Sequence, residues 1–122
     1  MENRMTIQAQ TLDIEEALQR FNGNQKIFFK LLKRFIEINS NIEEKTAQLV
    51  NSGNSEEIFI FFHSLKGGAG NLSAKNLYRK SAILEDFAKN EDFESIKKEL
   101  PSLYEIYDQL KIAVADLEKS NS

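Results

Sequence analysis

Apolar side chains return every three or four residues along most of this chain, the spacing that gathers them on one side of an α-helix. The longest such stripe places apolar residues at 28, 31, 35, 38, 42 and 49. It predicts one helix from about Gln25 to Asn51, ended by the Asn51-Ser52-Gly53 turn. A shorter helix is predicted ahead of it, from about Asp13 to Phe21. Asp13 is its candidate N-cap, two glutamates follow in the first turn, and Asn22-Gly23-Asn24 ends it. Asn54, with Glu57 three residues on, is a capping box for a third long segment, with the stripe Ile58, Phe61 with Phe62, Leu65, Ala69 and Leu72. Ser73 is a candidate cap for the next, whose stripe is Leu77, Ser81, Leu84 and Ala88, widened by Tyr78 and Phe87. After Asn90 comes a near-heptad seam of Ile96, Leu100, Leu103, Tyr107, Leu110, Val114 and Leu117. Pro101 lies inside that seam, and a kink or a restart is expected there.

These segments predict an all-α fold, an antiparallel up-down four-helix bundle with the short first helix covering one end. The bundle is expected over residues 12–118, between a flexible lead at 1–11 and a flexible tail at 119–122. A monomer is expected, because the four stripes can satisfy one another.

Composition narrows the chemistry. One proline and five glycines among 122 residues leave little punctuation for a many-stranded fold. There is no cysteine, which removes disulfides, thiol catalysis and zinc–thiolate sites. A net charge of −3, with no basic run, argues against nucleic acid as a partner. The longest apolar run, Ile58–Phe62, is far short of the roughly 20 residues that span a bilayer. No signal peptide is visible, and the initiating methionine with its polar lead fits a whole small protein as well as an excised domain.

One stretch departs from good helix chemistry. FHSLKGGAGNLSA, residues 62–74, holds the only histidine and three of the five glycines. Each glycine in a helix interior costs roughly 1 kcal/mol relative to alanine. On a helical wheel His63 lies off the core stripe, with Lys66, Gly67 and Gly70 beyond it and Phe59 and Ile60 one turn before. One reading is a nucleophilic imidazole: its neutral form attacks phosphorus near pH 7, Lys66 stabilises the phosphoryl charge, and Gly67 leaves room for a partner. Glu85, on the following helix, could accept the other ring N–H and fix the tautomer. The other reading is a surface histidine beside a glycine-lined helix contact, and wheel geometry leaves the two level. A phosphate-cradling loop is excluded, because its lysine follows the glycines and its loop follows a strand. A di-iron bundle is excluded too, since its paired Glu-x-x-His motifs need two histidines.

The run His63-Ser64-Leu65-Lys66-Gly67-Gly68-Ala69-Gly70-Asn71-Leu72 closely resembles the signature of histidine-containing phosphotransfer (HPt) domains. Leu12-Asp13, Ala17-Leu18, Arg20-Phe21 and Gly23-Asn24 resemble the family's N-terminal pattern, Phe28 to Phe35 its second helix, and Leu84-Glu85 its fourth. The resemblance implies a phosphocarrier with no nucleotide site of its own. His63 would be phosphorylated on the ring nitrogen farther from the backbone, Lys66 would stabilise the phosphate, and Gly67 would give clearance. The role of Glu85 belongs to part of the family, notably the chemotaxis-kinase branch. Phe59, Ile60 and Gly70 would contribute to docking. The partners implied are response-regulator receiver domains, which would bring Mg²⁺, and a hybrid sensor histidine kinase. No cofactor is expected on this chain, and its expected place is the cytoplasm or the cytoplasmic part of a membrane-bound kinase. Two alternatives stay open: the phospho-accepting domain of a chemotaxis-type kinase, and a helical interaction module without chemistry. Many family members have glycine where this chain has Ser73. Serine is expected to be tolerated there as an N-cap.

Overall fold

Six helices of at least seven residues make up most of the computed structural model, which describes residues 9–120. They are α1 (Ile14–Arg20), α2 (Gln25–Ile38), α3 (Ile42–Ser52), α4 (Ser55–Asn71), α5 (Lys75–Lys89) and α6 (Phe93–Ser120). No strand occurs among the described residues. Of the expected flexible ends, residues 1–8 and 121–122 lie outside the described residues. Residues 9–11 are helical, Leu12 is buried, and residues 119–120 complete α6.

Where the hydrophobic pattern predicted one helix over Gln25–Asn51, the structure has two, α2 and α3. The break falls at Asn39-Ser40-Asn41, three residues whose side chains compete for backbone hydrogen bonds. Asn39 shows the competition directly: its amide Nδ2 donates to the Phe35 carbonyl at 2.9 Å. Another carbonyl of the last α2 turn, that of Ile36, accepts from the Tyr107 hydroxyl at 2.8 Å. The break also changes the buried face. Phe28 and Leu32 are buried, with Phe35 and Ile36 partly so, while Leu31 and Ile38 of the expected stripe face outward.

The α4–α5 corner holds a second correction. Ser73 does not cap α5; the N-cap is Ala74, which makes no side-chain cap bond. Ser73 adopts φ = 58°, the left-handed conformation that favours glycine. Its buried hydroxyl donates to Glu16 at 2.9 Å, and its carbonyl accepts from the Asp13 N–H at 2.9 Å. Lys75 reaches Glu16 at 3.0 Å and Asp13 at 3.3 Å, so α1 is fastened to this corner. Asp13 caps α1 as expected, accepting from the Glu16 N–H at 3.1 Å.

Of the kink or restart expected at Pro101, the restart does not occur, and α6 runs through the proline as one helix. Pro101 sits on an exposed face, where the carbonyl left without its N–H partner is open to water. The core is a shared seam. Ile58, Phe62, Leu65 and Ala69 of α4 meet Leu77, Leu84 and Ala88 of α5, with Ile96, Leu103 and Leu110 of α6 behind. The most extensive packing is α4 on α5, then α5 on α6.

Candidate functional site

The phase of α4 is set at its first turn. The Asn54 side chain accepts from the Glu57 N–H at 3.1 Å. The capping box is only half formed, because the Asn54 N–H goes to Ser52 Oγ at 3.3 Å. From this start the apolar stripe turns inward, and Ile60, His63, Ser64, Gly67 and Asn71 are left exposed. The His63 side chain is 63% exposed.

Helix α5 supplies the group that orients the ring. Burial of Ser81, Leu84 and Ala88 fixes its phase and leaves Glu85 at the seam with α4, 16% exposed. Glu85 Oε2 lies 3.0 Å from His63 Nδ1, and Glu85 Oε1 accepts from Lys66 Nζ at 2.9 Å. Burial alone would raise this carboxyl's pKa. The hydrogen bonds from Lys66 and His63, with their charges, outweigh it and hold the carboxyl below its ordinary value. Glu85 is therefore ionised at neutral pH and can only accept, so Nδ1 must carry the proton. In neutral imidazole the lone pair then sits on Nε2, which has no partner among the described residues. The Phe59 ring stacks on the imidazole, centroids 5.6 Å apart and planes 15° from parallel. Ring and tautomer are held from two sides, and the Nε2 edge stays open.

Lys66 bonds the same carboxylate as the ring, so its charge is matched by Glu85. At Gly67 an added Cβ would meet nothing within 4 Å, so the fold itself does not demand glycine there. Gly70, expected as bare backbone, is partly covered. Its carbonyl accepts from the Arg20 guanidinium, and an added Cβ would lie 3.1 Å from the Tyr78 ring. Ile60 is 57% exposed, whereas Phe59 is half-buried. Sequence reasoning missed the packing role of Gly68, where an added Cβ would come 2.6 Å from Phe35 Cε1. It also missed Arg20, whose reach to α4 depends on the corner that Ser73 and Lys75 build.

The Hpt domain family model matches residues 30–120, a span that includes His63, Lys66, Gly67 and Glu85. The N-terminal pattern at residues 12–24 precedes the matched span. Neither curated proteins nor solved structures give a match.

Proposed function

The chain belongs to the Hpt domain family, and we propose that it carries phosphoryl groups in a phosphorelay, accepting them on His63 Nε2. The single observation behind this reading is the contact between His63 Nδ1 and Glu85, which keeps the ring proton on one nitrogen and leaves the other free on an exposed ring. In the proposed step the Nε2 lone pair attacks the phosphorus of a receiver's aspartyl phosphate. The N–P bond forms as the P–O bond to the aspartate breaks, and that carboxylate leaves. The imidazole becomes cationic, and the ionised Glu85 at 3.0 Å stabilises it. Onward transfer reverses the roles: a second receiver's aspartate attacks phosphorus, and neutral imidazole leaves. The reading assigns Mg²⁺ to the receiver's carboxylates and no cofactor to this chain. Lys66, which shares Glu85 with the ring, would stabilise the phosphoryl charge once a phosphoryl oxygen competes for its ammonium.

For the fold we read α2 and α3 as one interrupted column. With α4, α5 and α6 it would complete the four-helix bundle, and α1 would cover the end at the α4–α5 corner. The domain would work where receivers work, in the cytoplasm, alone or as the cytoplasmic portion of a sensor kinase. His63→Gln tests the reading. It should lose the acid-labile, base-stable phosphate delivered by a charged receiver while keeping its helical circular dichroism. Full labelling of that variant would overturn the assignment.

The Glu85 bridge also favours a second reading, the phospho-accepting domain of a chemotaxis-type kinase. Labelling by ATP through a separate kinase fragment, but not by any charged receiver, would select it.

A further inference from the structure

His63 has unlike neighbours on its two sides along α4. One turn before it, at i − 4, stands Phe59, and one turn after it, at i + 4, stands Gly67. Side chains on a helix lean toward its N-terminus, so the imidazole lies back over the turn that carries Phe59. The two rings stack, with centroids 5.6 Å apart and planes 15° from parallel. On the Gly67 side an added Cβ would meet nothing within 4 Å. One face of the imidazole therefore rests on an aromatic group, while the approach past Gly67 is open. Phe59 is itself partly buried and packed against the core, so the fold holds its ring in place. The adjacent Ile60, by contrast, is 57% exposed.

The Phe59 contact does what the Glu85 contact cannot. The hydrogen-bond distance of 3.0 Å between Nδ1 and Glu85 Oε2 fixes one edge of the ring and its proton. It leaves the plane free to swing about that bond, and a stacked aromatic face removes this freedom. The stack also answers the charge that transfer creates. When Nε2 bonds to phosphorus and the aspartate carboxylate leaves, no proton moves. Nδ1 keeps its hydrogen, and the ring becomes a cation. The face of a phenyl ring carries negative potential, so it attracts the cationic imidazole more strongly than the neutral one. An interaction that strengthens as the reaction proceeds lowers the barrier, whereas one made equally in both states does not.

We propose that Phe59 is a positioning residue for phosphoryl transfer, which holds the imidazole plane and stabilises the cationic, phosphorylated ring. The proposal rests on the phosphotransfer reading. It gives Phe59 a role inside the site, in place of the docking contact that the sequence suggested.

The test uses the full chain and compares Phe59→Leu, which stays apolar but lacks the ring face, with Phe59→Tyr, which restores it. Each variant is labelled by a receiver domain charged with acetyl phosphate, over a range of receiver concentrations. Phosphoramidate, a small donor that needs no docking, labels each one separately. Phe59→Leu should be labelled about fivefold more slowly by both donors, at an unchanged KM for the receiver. Phe59→Tyr should be labelled at the wild-type rate. Wild-type rates in Phe59→Leu would overturn the proposal. So would a raised KM for the receiver with normal phosphoramidate labelling, which would make Phe59 a docking contact. Equal slowing in Phe59→Tyr would overturn it as well, because the aromatic face would then not matter. Should Phe59→Leu lose its melting transition, Phe59→Met carries the same prediction. A wild-type protein labelled by neither donor would instead overturn the phosphotransfer reading beneath it.

Discussion

At Gly67 an added Cβ would meet nothing within 4 Å, whereas at Gly68, the next residue, it would lie 2.6 Å from the Phe35 ring. Both glycines sit inside α4 and each weakens it by roughly 1 kcal/mol relative to alanine. Only Gly68 returns something to the fold, the close approach of α2. At Gly67 the space lies outside the molecule, one turn beyond an exposed imidazole. A residue that fails to stabilise its own helix, and that no neighbour requires, suits the proposed approach of a partner from outside. A helix contact accounts for Gly68, and clearance for a partner is what the proposed function asks of Gly67.

Leucine at each position separates them most sharply. Gly67→Leu should slow receiver-dependent transfer about a hundredfold by displacing the incoming phosphoryl group. Its thermal stability should be unchanged or slightly raised, because leucine is the better helix former. Gly68→Leu should do the opposite, destabilising the chain by about 1–3 kcal/mol through overpacking against Phe35. Calorimetry and transfer rates on the pair check this, and similar behaviour of the two variants would erase the distinction. A middle-sized effect is expected at Glu85. Glu85→Gln removes the charge facing the imidazolium, about 1.5 kcal/mol for a charged hydrogen bond, and should slow transfer about tenfold. Lys66→Ala should act more weakly, shortening the phosphohistidine lifetime severalfold, as suits a partly exposed ion pair. A larger rate loss at Lys66 than at Glu85 would mean that phosphate stabilisation outweighs ring orientation.

The smallest effect is on acid stability. The Glu85 carboxyl is lower in the folded chain than its ordinary 4.5. The stability it contributes is therefore present above that value and is lost as pH falls through the folded one. Glu16 behaves likewise, through hydrogen bonds from Lys75 and Ser73. Glu85→Gln should flatten, without abolishing, the loss of stability below about pH 4.5 in chemical denaturation at a series of pH values. An unchanged slope would mean that the Lys66 and His63 contacts contribute nothing to the fold.

Much of this was legible in the chain because it depends on local spacing. The α4 stripe, the Asn54 cap and the outward direction of His63 follow from helix period and cap chemistry. The Glu85 contact was legible as a possibility, since antiparallel neighbours bring residues after a turn back beside those before it. The break at Asn39-Ser40-Asn41 was visible in composition but was overridden by a stripe that continues on both sides. The left-handed Ser73 was not legible, because its conformation depends on α1 docking at the corner. Nor was the difference between Gly67 and Gly68, since which of two adjacent glycines meets Phe35 is decided by how α2 lies on α4.

The most direct measurement is phosphorus–nitrogen correlation NMR on ¹⁵N-histidine protein after phosphorylation by a charged receiver. Phosphorus coupled to His63 Nε2, with a proton retained on Nδ1, is the expected result. Phosphorus on Nδ1, or none on His63, would contradict the assignment of Glu85 as the group that selects the attacking nitrogen.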